Sequence, residues 1–307
     1  TLLLVPSAPT SSQGVIDPIE EIGMMAHEKG LLFHVDACVG GLHLSFLRRL
    51  GYEIPAFDFT VPGVTSISTD LHKYGYAAKG CSAIMYRSKD IRKYQIFAST
   101  DTTGYTLINP TILSSKTGGP MAGAWAILNF LGEEGYKRIV QDVQEATKRL
   151  IDGINSIEGL QVLGEPVMSM FSFKSNTINL YQLADEMNKR GWYIQPQFST
   201  PLTPRNLHIS VSHGTIHNVD ALLQDLRQCV EVVKSKTPID SDAFKATVSS
   251  ALQSPDPEAA FGQLAASAGL AGTELPSEMA FINEVLDALP DELCNVFLVN
   301  YFNDLYV

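Results

Sequence analysis

The sequence predicts an α/β fold, a mostly parallel open sheet followed by a smaller C-terminal α+β domain. Three observations predict it. A strand, helix, strand order opens the chain, which implies a right-handed crossover between parallel strands. The run LLFHV is brief, apolar and bounded by Gly30 and Asp36, as a strand buried on both faces requires. Beyond residue 160, short strand-like runs alternate with two helical segments in a stretch too short for a second large sheet.

Taken in order, residues 1 to 5 (TLLLV) read as a buried strand, followed by a polar loop through Gly14. A helix is predicted from Pro18 to Lys29, with Asp17 as its cap, Pro18 in its first turn, Met24 and Met25 on its core side and Gly30 at its end. LLFHV and TSIST are the next strands, and CSAIMYR after Gly80 is the strand of a returning hairpin. A loop rich in Thr, Ser and Gly (99 to 119) precedes two helical stretches, GPMAGAWAILNFL and EEGYKRIVQDVQEATKRLIDGINSI. The second domain is read as strands LQVLG, MFSFK, WYIQP and LHISVS with helices near Leu180 to Arg190 and Val219 to Lys234. Residues 235 to 276 are rich in Ala, Ser, Pro and Gly, which suggests short helices joined by linkers, and the apolar tail after them should pack on something. The expected division is 1–135 as part of a large domain, 136–235 as the small domain and 236–307 as a helical tail.

With 307 residues and 45% hydrophobic content the chain can bury a large core. A formal charge of -11 argues against binding nucleic acid, whose phosphates call for a basic surface. Cys38, Cys81, Cys229 and Cys294 are widely spaced without paired ligand spacing and read as free thiols. No apolar run approaches the roughly 20 residues that span a bilayer. The chain starts directly in a strand-like run, so a preceding segment is expected.

Chemistry concentrates at two positions. Asp36 ends the strand LLFHV, and Lys73 follows the strand TSIST, so both fall beyond carboxyl ends of strands, where open α/β sheets bind ligands. An amine and an acid in one crevice suit pyridoxal phosphate, since the lysine can form a Schiff base with its aldehyde while the acid keeps the pyridine nitrogen protonated. A lysine in isolation is more often a surface charge, and an acid at a strand end is as often a turn or cap residue. His34, among apolar neighbours, reads as a packed core histidine. His208, His213 and His217 cluster in sequence but no Cys or carboxylate nearby completes a metal-ligand pattern.

The blocks SAPTSSQGVIDPIEEI, HVDACVGG, FDFTVPGVTSISTDLHKYGYAAKG and GGPMAGAW, in that order, resemble the sphingosine-1-phosphate lyase family of the pyridoxal phosphate-dependent group II decarboxylase-like superfamily. The resemblance is close through roughly the first 130 residues and looser through the small domain. It implies a fold-type I enzyme, a homodimer with its active site at the subunit interface, and cleavage of a phosphorylated long-chain amino alcohol to a fatty aldehyde and phosphoethanolamine. It also places the protein in the cytosol or on the cytosolic face of a membrane. By the same resemblance Lys73 is the Schiff-base lysine, Asp36 the partner of the pyridine nitrogen, His72 a residue near the cofactor phosphate, and Lys79 and Ser115 contacts of the substrate phosphate. Bland readings stand beside these: a hydrogen-bonded loop histidine for His72, a solvated charge for Lys79, a loop hydroxyl for Ser115.

Two departures fall before the GPMAGAW helix. Ser115-Lys116-Thr117-Gly118-Gly119 stands where the family reads Ser-Arg-Pro-Gly-Gly, so a bidentate phosphate grip is lost although Lys116 keeps the charge. Gly104-Tyr105-Thr106-Leu107 replaces a Gly-Gly-aliphatic-Tyr run. The family's glycine-rich phosphate loop and ring-stacking histidine lie upstream of this stretch. An amino acid decarboxylase and an inactive structural fragment or paralogue are the competing expectations.

Overall fold

The computed structural model describes residues 1–101, 103–113, 115–237, 241–254 and 276–304. It forms two compact units: Thr1–Thr147 with Gly164–Met170 and Val211–Ile216, and Lys148–Leu163 with Phe171–Ser210 and His217–Val307.

The first unit is built on a four-stranded sheet. Its strands are β1 (Leu3–Leu4), β2 (Leu32–Asp36), β3 (Ser66–Asp70) and β4 (Ser82–Tyr86), in that spatial order. β1, β2 and β3 run parallel, and β4 pairs antiparallel with β3 as the returning strand. The crossovers carry helices α1 (Ile19–Glu28) and α2 (Gly40–Arg49). Parallel strands normally lie between two apolar layers, but here the strands alternate. Phe33 and Val35 of β2 and Ile67 of β3 are buried in one core with Ile19 and Ala26 of α1 and Leu44 and Leu47 of α2. The opposite face carries His34, Asp36, Ser66, Ser68 and Asp70, because side chains two apart share a face. The register locks these together: His34 lies opposite Ser66, and Asp36 opposite Ser68.

Several expectations are corrected. β1 is only two residues long and forms an edge of the sheet, so Leu3 is about half exposed (48%) rather than buried. Asp17 does not cap α1; its Oδ2 accepts the Ser7 N–H at 2.7 Å and ties the first loop to the helix entrance. Met24 and Met25 are exposed, and α1 turns Ile19, Gly23 and Ala26 inward. Within the expected loop 99 to 119, β6 (Leu107–Asn109) pairs with β5 (Phe97–Ser99) as a hairpin. The helix α2 has no counterpart in the sequence reading. Its two leading glycines, which suggest a turn, serve close packing instead: a Cβ on Gly40 would lie 2.2 Å from the Ala8 carbonyl oxygen and 2.6 Å from Leu44 Cδ1. Gly40→Ala should therefore cost about 1–3 kcal/mol by overpacking, read as a lower urea midpoint at unchanged slope; an unchanged midpoint would show that α2 has room to shift.

The helical stretches of the 119–155 region are helix across Gly119–Asn155, interrupted at Gly132 (φ 57°, ψ -172°). A glycine adopts that left-handed φ without Cβ strain. After the break, Tyr136 stacks on Phe46 at 5.1 Å and donates from its hydroxyl to the Gly75 carbonyl at 2.7 Å, anchoring the loop that follows β3.

The second unit contains a four-stranded sheet in the order β7 (Gln161–Val162), β8 (Met170–Lys174), β10 (Asn206–Ser210), β9 (Gln195–Gln197). Helices Leu180–Lys189 and Val219–Ser235 pack against one another and fall within a residue of the sequence reading. Asp185 accepts the backbone N–H groups of Met279 and Ala280 at 2.9 and 2.8 Å, so a side chain from one helix caps the start of another, Ala280–Ala288. Most of the short helices expected over 235–276 lie outside the described residues; Ser241–Leu252 is helical, and its Val248 packs with Val285 and Leu289.

Candidate active site

At the carboxyl end of β2, Asp36 turns into the loop leading to α2. Its Oδ1 accepts the Cys38 N–H at 3.0 Å and the Ser68 hydroxyl at 3.2 Å. Burial pushes the carboxyl group up, but the Cys38 and Ser68 hydrogen bonds together outweigh it and hold Asp36 below the usual aspartate range. It is ionised at neutral pH.

Lys73 lies in the turn after β3. Its Nζ contacts Cys38 Sγ at 3.0 Å and Asp70 Oδ2 at 3.1 Å. Burial lowers the ammonium, yet the Cys38 and Asp70 contacts outweigh that and raise it above the ordinary lysine range. Cys38 thus touches both groups: its backbone N–H meets Asp36 and its sulfur meets Lys73. Its thiol is pushed up by burial, which Asp36 reinforces against the pull of Lys73, so it stays protonated.

Asp70, the last residue of β3, is fixed in turn. Ser82 of β4 donates to its Oδ1 at 2.6 Å, a consequence of the register that sets Ser82 opposite Asp70. Against the opposing effect of burial, Ser82 and Lys73 hold Asp70 below the usual range. His72 bonds the Cys81 carbonyl through Nδ1 at 2.8 Å and places Nε2 3.6 Å from Asp70. Of the residues singled out from sequence, Asp36, Lys73 and His72 come together in this cluster. Lys79 and Ser115 are exposed, and neither forms a hydrogen bond or ion pair with it among the described residues.

Ser68 and Asp70 escape the sequence reading, although the alternation through HVD and SISTD points them to the face of Asp36, and so does Cys38, in the turn after β2. His34 is corrected. It is half-buried rather than packed in the core, and bonds Ser66 Oγ at 2.8 Å and Ser68 Oγ at 3.1 Å.

Because Asp70 stabilises the Lys73 ammonium, Asp70→Asn should lower the lysine's pKa and expose more neutral amine at a given pH. The pH midpoint for covalent capture of a pyridoxal aldehyde by cofactor-free protein is expected to fall by about one unit, followed as growth of visible absorbance. A midpoint unchanged or raised would remove Asp70 from the account.

An ionised carboxylate and a lysine thus meet one cysteine beyond the carboxyl ends of adjacent parallel strands, where open α/β sheets bind ligands. Residues 1–176 match the family described as the pyridoxal-dependent decarboxylase conserved domain. The chain belongs to this family.

Within the pyridoxal-dependent decarboxylase family, the chain is similar to sphingosine-1-phosphate lyase of Arabidopsis thaliana, at 45% identity over 76% of this chain and 42% of that protein. It is also similar to sphingosine-1-phosphate lyase 1 of Rattus norvegicus, at 38% identity over 77% of this chain and 42% of that protein. Among solved structures, sphingosine-1-phosphate lyase of Burkholderia pseudomallei matches with a TM-score of 0.73 and 36% identity, over 83% of this chain and 57% of that one. A glutamate decarboxylase of Lactobacillus brevis, 19% identical with a TM-score of 0.66 over 76% of this chain and 56% of that one, shares the fold. These neighbours confirm the fold-type I architecture of pyridoxal phosphate enzymes expected from sequence. The chain spans less than half the length of the curated relatives it matches.

A second family, a C-terminal domain of pyridoxal-dependent enzymes named for a helix-turn-helix, matches residues 246–304. That segment contains nine carboxylates and no lysine, arginine or histidine. It therefore offers no cationic side chain to displace counterions from DNA phosphates.

Proposed function

We propose that this chain carries the lysine-bearing part of the active site of a carbon-carbon lyase. Its substrates are long-chain base phosphates of the sphingosine 1-phosphate type, split into a fatty aldehyde and phosphoethanolamine. The observation that carries the reading is the shared contact of Asp36 and Lys73 with Cys38.

Bound pyridoxal phosphate supplies the electron sink for the pair released when a carbon-carbon bond breaks. Lys73 is the amine that would hold the cofactor aldehyde covalently. Asp36, kept ionised by Cys38 and Ser68, would hold a proton on the pyridine nitrogen. Asp70 keeps Lys73 in place and balances its charge when the amine is protonated. His72 would lie by the cofactor phosphate, while Lys79 and Ser115, both exposed, are available to the substrate phosphate. Lys116, in place of arginine, meets that phosphate as a single charge without a bidentate fork.

The same reading makes the protein a homodimer whose subunits share the site. Exposed Ile112, Leu113, Trp125 and Phe130 in the first unit provide apolar surface for a partner to cover. The same reading puts it in the cytoplasm or on the cytosolic face of a membrane; no helix among the described residues is long and apolar enough to cross one. The -11 charge supports a partner list without nucleic acid.

An amino acid decarboxylase is the second reading, favoured by the family description and the shared fold of the glutamate enzyme. Product analysis of purified full-length protein separates the two. Phosphoethanolamine released from a long-chain base phosphate supports the lyase, and carbon dioxide released from an amino acid supports the decarboxylase. Failure to take up any cofactor would leave an inactive structural paralogue.

A further inference from the structure

The polar face of the sheet carries a hydrogen-bonded chain that ends on Asp36, and its far members, Ser66 and His34, have no place in the steps above. Ser66, His34, Ser68 and Asp36 alternate across β2 and β3, each within hydrogen-bond distance of the next: 2.8 Å from Ser66 Oγ to His34 Nδ1, 3.1 Å from His34 Nε2 to Ser68 Oγ, and 3.2 Å from Ser68 Oγ to Asp36 Oδ1. The chain follows from the parallel register, which puts His34 against Ser66 and Asp36 against Ser68.

Its polarity is determined. Asp36 is ionised and can only accept, so the Ser68 hydroxyl proton points to it. The Ser68 oxygen then accepts from His34 Nε2–H. A neutral imidazole has one N–H, which leaves Nδ1 to accept from Ser66. Burial lowers His34, which favours that neutral form, while the nearby Asp36 charge opposes it. Every proton in the chain is used, and each points toward the carboxylate.

We propose that His34 is a positioning residue for the pyridine-nitrogen carboxylate: clamped by Ser66, it orients the Ser68 hydroxyl, which with the Cys38 N–H fixes Oδ1 of Asp36 and keeps this group a strong, aimed anion. This deepens the pyridoxal phosphate reading and rests on it. The chain is cooperative, because each polarised donor strengthens the next. Removing His34 frees the Ser68 hydroxyl to turn away, which weakens the anion that protonates the ring.

The test uses full-length protein reconstituted with pyridoxal phosphate labelled with 15N in the ring. The nitrogen chemical shift reports ring protonation and does not depend on turnover. In the wild type the shift should remain that of a protonated pyridine across the neutral and mildly alkaline range. In His34→Leu and in Ser68→Ala the alkaline midpoint of that shift should fall by about one pH unit, a tenfold weaker hold on the proton. His34→Gln, whose amide can still donate to Ser68, should lie nearer the wild type. The small Ser68→Ala change provides the readout if His34→Leu fails to fold. Shifts that titrate alike in wild type, Ser68→Ala and either His34 variant would overturn the positioning role while leaving the cofactor site intact. A wild type that takes up no labelled cofactor would overturn the functional reading and this role with it.

Discussion

Asp36→Asn is expected to lower kcat by about 10²- to 10³-fold, the scale on which single charge-stabilising groups act in a water-poor site, while covalent capture of the cofactor by Lys73 survives. The substitution is isosteric, so an amide oxygen can still accept the Cys38 N–H and the Ser68 hydroxyl that now meet Oδ1. The loop into α2 should keep its shape. Only the negative charge disappears, and with it the hold on a ring proton. Lys73, held by Cys38 and Asp70 rather than by Asp36, keeps its place. Turnover should therefore fall without loss of visible absorbance. Turnover close to wild type would mean that the ring needs no anion at that edge.

Arg205→Ala should destabilise the second unit by about 3–5 kcal/mol, because it strands two buried carboxylates. The guanidinium meets Glu284 Oε1 at 2.8 Å and Asp287 Oδ2 at 2.8 Å, and both acids have side chains almost wholly removed from solvent. Their other contacts are in place: Asn179 donates to Glu284 at 2.7 Å, and Ser199 donates its N–H and hydroxyl to Asp287 at 2.5 and 2.8 Å. The arginine also lies over the Tyr181 ring, 5.0 Å from its centroid. These bonds fasten the helix Ala280–Ala288 to the sheet and the helix Leu180–Lys189. Loss of Arg205 removes the positive charge and keeps the two desolvated negatives. Arg205→Lys keeps one charge without the fork and should fall between. The measurement is the denaturant midpoint of the full-length protein; an alanine variant as stable as wild type would show that water replaces the guanidinium at no cost.

The sheet was legible because Gly30 and Asp36 bracket β2 and because strand and helix periods alternate. The polar side of the same sheet was not. In LFHVD and SISTD the apolar positions are interleaved with His34, Asp36, Ser66, Ser68 and Asp70, which is the signature of a strand with one wet face. Reading LLFHV as a continuous apolar run hid it and sent His34 to the core. Helix α2 was missed because Gly40 and Gly41 signal a turn, whereas their missing side chains let the helix approach Ala8 and Thr69. Cys38 could not be assigned from spacing alone. Its importance comes from a backbone N–H turned to one side and a sulfur to the other, which only coordinates reveal. The pairing of Arg205 with acids about 80 residues downstream was equally out of reach, since nothing local marks it.

Lys73 and Asp36 are proposed to hold one pyridoxal phosphate molecule between them. Borohydride reduction of the full-length protein with its cofactor, followed by peptide mapping, tests it most directly. A pyridoxyl group should be fixed on Lys73 and on no other lysine, with the Lys73→Ala variant carrying none. A pyridoxyl group recovered on Lys79 or Lys116 instead, or equal labelling of the Lys73→Ala variant, would contradict it.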